Sequence, residues 1–233
     1  MERNKKLKKE NDNIKIEFFT ENQNAYNKRL LENTYKKIID ERAKILEILE
    51  IKNVRKVTIN LYDNRENFIK EIEKFYKKYK VPSYCKGTIQ NGEIYFLFNT
   101  QIEEKTYKYE LELRKIFHEY VHILYNEYIA TPKNRITWLD EGIALNLSRE
   151  RGKFVKEKYP ILESNIDKIN LNNLQHESES FVTDKINGYD VSYLTVKYLM
   201  ETLSKEEFNK LIRKNEDILK MRKRNLGRSK EIF

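Results

Sequence analysis

The sequence predicts an α+β protein, a small sheet with its helices followed by a mostly helical lobe, and three observations carry that prediction. Alternating β-branched and aromatic runs are confined to the first hundred residues. Apolar residues at helical spacing interleave with them and dominate from about residue 105. Six Gly and three Pro among 233 residues leave little room for long irregular connections. The chain is long enough for one sizeable core.

The elements follow in order. "IKIEFF" at 14–19 alternates as a strand does. Residues 24–50 carry Leu30, Leu31, Tyr35, Ile38, Ile39, Ile45, Leu46 and Leu49 on one helical face. "VRKVTINLYD" at 54–63 returns to strand alternation, and "ENFIKEIEKFYKKY" at 66–79 to a helix with Phe68, Ile69, Ile72, Phe75 and Tyr76 as its buried stripe. "GTIQNGEIYFLFN" at 87–99 reads as a hairpin, because Asn91-Gly92 supplies the two positive-φ positions of a tight primed turn. No Gly-, Pro- or Ser-rich linker divides the chain and no repeat appears, so residues 1–233 read as a single domain. Its sublobes are an α/β part over about 14–127 and a helical part over 128–215, with a basic tail at 216–233.

Composition excludes several classes. Hydrophobic residues at 39% and aromatics at 12% supply a core, against disorder, although 36% of the chain is charged. The longest wholly apolar run, "IYFLF" at 94–98, is far short of the ~20 residues that span a bilayer. No apolar region follows the basic "MERNKKLKKENDN", so the expectation is a cytoplasmic protein without signal peptide or membrane span. The lone Cys85 rules out an internal disulfide and a Cys-rich zinc site, and reads as a half-buried thiol before a strand. The net charge of +9 is spread along the chain, and the tail "KMRKRNLGRSK" at 220–230 reads as a solvated terminus rather than a nucleic-acid surface.

Chemistry is concentrated at "HEYVH", residues 118–122, which holds two of the chain's 3 histidines. Leu113, Phe117, Tyr120 and Leu124 form an apolar stripe on a helix, and His118 and His122 fall together roughly opposite it. Residues four apart on a helix are neighbours, so both imidazoles can reach one ion at ~2.0–2.1 Å. Glu119 projects beside them, too far round the helix to be a third ligand from the same turn but well placed to take a proton from water. By chance the H-E-x-x-H pattern arises in roughly one chain in two hundred of this composition, so a second feature is needed.

That feature is "TWLDEGIALNLS" at 137–148, which places Glu141 after eighteen residues, 123–140, beyond His122. Thr137 and Asp140 also suggest a capping-box-like helix start, in which an acidic first turn is stabilised by the helix dipole. Gly142 would let this helix approach the HEYVH helix closely, and Trp138 and Leu139 read as packing residues.

HExxH, eighteen residues, then Glu in a W-L-x-E-G-x-A context resembles the gluzincin zinc metallopeptidases, the clan of the M1 aminopeptidases and clostridial-type collagenases. The resemblance implies a zincin-like fold with its active-site cleft between the two lobes. It implies Zn2+ held by His118, His122 and Glu141, Glu119 as general base, and a peptide or protein as substrate. Gluzincins also tend to carry a tyrosine at the head of a C-terminal helix, whose hydroxyl stabilises the oxyanion; Tyr189 resembles it, with Tyr193 a competing choice. In zincins an edge strand beside the cleft pairs with the substrate backbone, and "EIYFLFN" at 93–99 stands where that strand is expected.

Two departures narrow the reading. The G-x-M-E-N motif by which M1 aminopeptidases hold a free amine is replaced here by "GEIYFLFN", which favours an endopeptidase. The thermolysin-type Asp four residues after the third ligand is replaced by Leu145. The alternative to an enzyme is a zinc-stabilised binding module that uses a basic surface on nucleic acid or an acidic partner. His176, in "NLQHESES", would be its only spare histidine, and reads as a loop residue. A purely structural site has no need of Glu119 and usually closes its fourth position, which favours the enzyme. Substrate preference and oligomeric state leave no mark in the sequence.

Overall fold

The computed structural model describes residues 6–75, 81–83, 85–130, 135–151, 171, 174, 181–182 and 187–214. His176 and the basic tail lie outside them. The chain is mixed α and β and divides into two compact units. One comprises Met1–Glu47 and Ile51–Ile123, the other Ile48–Glu50 and Leu124–Phe233. Boundaries fall between Glu47 and Ile48, at the end of one helix, and between Ile123 and Leu124, inside another.

The first unit is built on a five-stranded sheet in the order β1-β2-β3-β5-β4. Its strands are β1 (Lys6–Glu10), β2 (Ile14–Phe19), β3 (Val57–Tyr62), β4 (Gly87–Gln90) and β5 (Glu93–Leu97). β2, β3 and β5 run parallel, while β1 and β4 are antiparallel to their neighbours. Alternation sorts the side chains: Ile16, Ile59 and Ile94 stand in register on one face, as do Phe18, Leu61 and Phe96, all 0–2% exposed. Phe19 and Tyr62 point the other way and stack at 4.9 Å. That second face is covered by α2 (Arg65–Ile72), whose Phe68 and Ile72 pack with Tyr62 and Tyr95.

The strand β1 lies in the basic N-terminal stretch, where the sequence predicts no strand. Of "KLKKE" only Leu7 is apolar, so hydrophobic patterning is silent there. The structural signal is Asn11, whose Oδ1 accepts from the amides of Asn13 and Ile14 and turns the chain back onto β2. Its lysines are held by ion pairs, including Lys6 with Glu17 at 2.8 Å.

Helices α1 (Ala25–Ile48) and α3 (Tyr107–Tyr128) run side by side in the same direction. Tyr26 reaches Ile102, Asn33 reaches Tyr109 and Arg42 reaches Tyr120 in ascending order. Asn24 caps α1 through Asn27 N at 2.8 Å, and Thr106 caps α3 through Tyr109 N at 3.2 Å. The second unit holds α4 (Thr137–Ser148), α5 (Gly188–Thr202) and α6 (Lys205–Arg213). Ser204 and Glu207 form a full capping box at the start of α6. Among the described residues no helix is long and apolar enough to cross a membrane.

One correction concerns β5. The apolar "EIYFL" was expected at the sheet edge, but it is paired on both sides, by β3 and β4, and the edge is the shorter β4. A strand that is apolar after Glu93 gains more from two neighbours than from one. The turn between them has φ of 51° at Asn91 and 72° at Gly92, as Asn-Gly predicts. Gly92→Ala should therefore lower stability by about 1 kcal/mol, because an added Cβ disfavours the left-handed region. A urea melt with an unchanged slope and a shifted midpoint would be the expected result; an unshifted midpoint would contradict it.

Candidate metal centre

The candidate site starts from one turn of α3. Every residue from Ile116 to Tyr125 is buried except Glu119, which is half-buried. The expected single apolar stripe is thus wider than predicted, since Ile116, Val121, Ile123 and Tyr125 are buried with it. His118 and His122 lie inside this apolar turn, 9% and 6% exposed. Their rings meet edge to face, 4.5 Å apart at 80°, with Nε2 to Nε2 at 2.9 Å. Two donors at ~2.0–2.1 Å from one tetrahedral ion stand about 3.3 Å apart, so the nitrogens need separate by only a few tenths of an ångström.

Glu141 comes from the first turns of α4 and is 5% exposed. Ligand atoms of His118, His122 and Glu141 all lie within 4.8 Å of one another, and the three residues together can hold a metal ion. Two imidazoles and a carboxylate are borderline-soft to hard donors, a set that suits zinc and its first-row neighbours and not calcium.

The turn that carries Glu141 differs from the expected capping box. The N-cap is Ile136, with no side-chain cap, and Thr137 is already the first helical residue. Asp140, wholly buried, instead accepts from Arg135 Nε at 2.6 Å and Asn126 Nδ2 at 3.1 Å. A buried carboxylate needs such partners more than a helix end needs a cap. It also helps push the buried Tyr125 hydroxyl well above its ordinary range, where burial is the larger cause.

Gly142 serves a different neighbour from the one expected. A Cβ there would lie 2.4 Å from Ser192 O and 2.4 Å from Val196 Cγ2, so the close approach is between α4 and α5. Asn146 stitches the same crossing, donating to Gly142 O and Tyr193 O at 2.8 Å each.

Tyr189 sits in the first turn of α5, its amide capped by Asn187 Oδ1 at 3.0 Å. Its ring meets Phe181 edge-on at 4.9 Å and lies under the Arg151 guanidinium at 5.6 Å. Arg151 in turn pairs with Asp190, 1% exposed, at 2.5 Å. Tyr193 follows one turn later, half-buried.

Glu119 packs against the start of β4, where a Cβ on Gly87 would lie 2.6 Å from its Oε1. Sequence reasoning missed this neighbour, since Gly87 read only as a strand end. Cys85 is half-buried in the same region and its thiol is pushed up, by burial first and then by the Glu119 charge. A thiol held protonated is a poor nucleophile, as expected from the sequence.

No protein-family model matches the chain, and no curated protein matches it. The functional reading therefore rests on the residues themselves.

Gly142→Ala should cost about 1–3 kcal/mol, because the new methyl meets backbone that cannot swing aside. Chemical denaturation measures it; a variant as stable as the parent would mean that α4 and α5 are not in contact at Gly142.

Proposed function

We propose that the chain is a zinc-dependent metallopeptidase of gluzincin type that cuts within a polypeptide. The observation that carries this reading is the convergence of His118, His122 and Glu141, two imidazoles and a carboxylate, beside a glutamate that follows the first histidine directly. The mixed sheet with an antiparallel edge strand is compatible with a zincin-like domain. His118, His122 and Glu141 would hold the ion, and three protein ligands are the number that leaves a catalytic site open. Bound zinc supplies a Lewis acid that polarises a carbonyl and brings water toward deprotonation near neutral pH.

The chain's own groups do the rest. Glu119, half-buried and adjacent to His118, takes the proton of the attacking water and passes it to the leaving amine. Tyr189, braced by Phe181 and Arg151, offers a hydroxyl to the carbonyl oxygen as charge develops, with Tyr193 as the competing donor.

Recognition falls to β4. Leu97 N donates to Lys86 O at 2.7 Å, which fixes the ladder. In an antiparallel pair alternate residues turn both backbone groups toward the partner, so Lys86, Thr88 and Gln90 face β5 while Gly87 and Ile89 face the open edge. An extended peptide laid along that edge pairs with Gly87 and Ile89. Internal peptide segments can do this as well as termini, in keeping with endopeptidase action.

Elemental analysis of the purified parent should find one zinc per chain, weakened or lost in Glu141→Ala. Glu119→Gln should retain zinc while hydrolysis of a peptide library falls by about 100- to 10,000-fold. A parent without zinc after metal reconstitution, or a Glu119→Gln variant as active as the parent, would end this reading. Salt-sensitive nucleic-acid binding with no cleavage would point to the binding module instead.

Ile89→Pro removes one outward N–H and no ladder bond, a change that edge strands tolerate. It should reduce kcat/KM about threefold to tenfold, the worth of one hydrogen bond, with zinc unchanged. Unaltered peptide kinetics would show that the substrate does not pair with β4.

A further inference from the structure

The contact between Gly87 and Glu119 points to a role for a residue that carries no functional group. A Cβ on Gly87 would lie 2.6 Å from Glu119 Oε1, 3.1 Å from its Cδ and 3.0 Å from Phe96 Cδ2. Ordinary contacts of a methyl carbon are about 3.5 Å or more. Backbone conformation does not account for a glycine here, since Gly92 is the one glycine with positive φ among the described residues. Gly87 is free to be any residue as far as its φ is concerned. What a side chain lacks is space, and the space is filled by the Glu119 carboxylate.

The surroundings decide which group would yield. Phe96, 2% exposed, is locked in the sheet beside Leu61. The strand itself is tied down at the preceding residue. Lys86 O accepts from Leu97 N at 2.7 Å, and Lys86 Nζ reaches the buried Glu112 of α3 at 3.2 Å. Glu112 is further held by Lys115 at 2.7 Å. Residues 86 and 87 are thus registered on α3 at Glu112 and Glu119, two turns apart on the same helix. With the strand and Phe96 fixed, an added methyl moves the carboxylate.

We propose that Gly87 is a positioning residue of this site, its bare Cα forming the seat that sets where the Glu119 carboxylate stands. The inference rests on the function proposed above for its consequence in turnover, and on geometry alone for the seat. A general base works only within hydrogen-bond reach of the proton it takes, and a displacement of about 1 Å costs on the order of 100-fold. The same residue opens the free edge of β4, so one position sets both where a paired peptide begins and where the base meets it.

The test is Gly87→Ala, made alone and with Glu119→Asp. A crystal structure of Gly87→Ala should show Glu119 Oε1 displaced by about 0.5–1 Å, with β4 and Phe96 in place. Zinc content and Tm should match the parent, because the end of a flexible side chain moves cheaply. In peptide hydrolysis kcat should fall about 10- to 100-fold with KM little changed. Aspartate is one methylene shorter and withdraws from the seat, so Gly87→Ala should cost little in the Glu119→Asp background. A purely structural role of Gly87 would cost the same in both backgrounds.

A carboxylate unmoved by the added methyl overturns the inference, as does an equal loss of kcat with and without Glu119→Asp. The crystallographic displacement needs no turnover. Absence of zinc or hydrolysis in the parent would defeat the proposed function while the seat is still judged by the position of Glu119.

Discussion

The site depends on polar groups being folded into a helical turn with almost no solvent-facing side. Between Ile116 and Tyr125 only Glu119 keeps substantial exposure. Burying a polar group without a partner costs a few kcal/mol, a cost carried here by the Tyr125 hydroxyl, which has no hydrogen-bond partner among the described residues. Tyr120 OH accepts from Arg42 of α1 at 3.1 Å, and the two imidazoles face each other at 2.9 Å. Helical spacing favours that last pairing, because residues four apart are neighbours on one face of the helix. The same spacing aims both rings at a common point.

Helix α4 of the second unit obeys the same constraint. All but one residue of α4 is buried, including Asp140 and Glu141 in succession. Asp140 is compensated by Arg135 and Asn126 at its base, which fixes the rotation of the first turn and hence the direction of the next side chain. Gly142 then brings α5 to backbone distance. Three consecutive residues therefore have three distinct duties: an ion pair that orients, a carboxylate that can bind, and a missing side chain that lets α5 approach.

Much of this was legible in the sequence, and the misses share a cause. The strands at 14–19 and 57–62, the Asn-Gly turn and the helices around HEYVH and WLDEG all follow from periodicity and turn chemistry. The pairing of His118 with His122 follows from their four-residue spacing, whereas the place of Glu141 beside them is implied only by the family resemblance. The errors lie where tertiary partners override local preference. Thr137 has a capping hydroxyl, yet the buried Asp140 is drawn into an ion pair with the exposed Arg135 and the box does not form. Gly142 permits close packing, but a glycine does not name its neighbour. β1 is written in lysines whose partners, Glu17 and Glu32, lie far along the chain.

The placement of the open edge is the most instructive of these. Sequence patterning draws the eye to "EIYFLFN", because apolar alternation is the mark of a strand. Yet a strand buried on both faces is the one a sheet encloses, and its less apolar hairpin partner is left outside. β4 is four residues long, half-buried throughout and polar at Thr88 and Gln90, the traits of an edge that resists self-association. Its outward-facing backbone groups are limited to Gly87 and Ile89. Such a short edge offers little to another sheet, and under the proposed function it would pair with a peptide over about two or three residues. β4, one of the two edge strands of the sheet, thus has backbone to offer a partner, and it begins at the residue that touches Glu119.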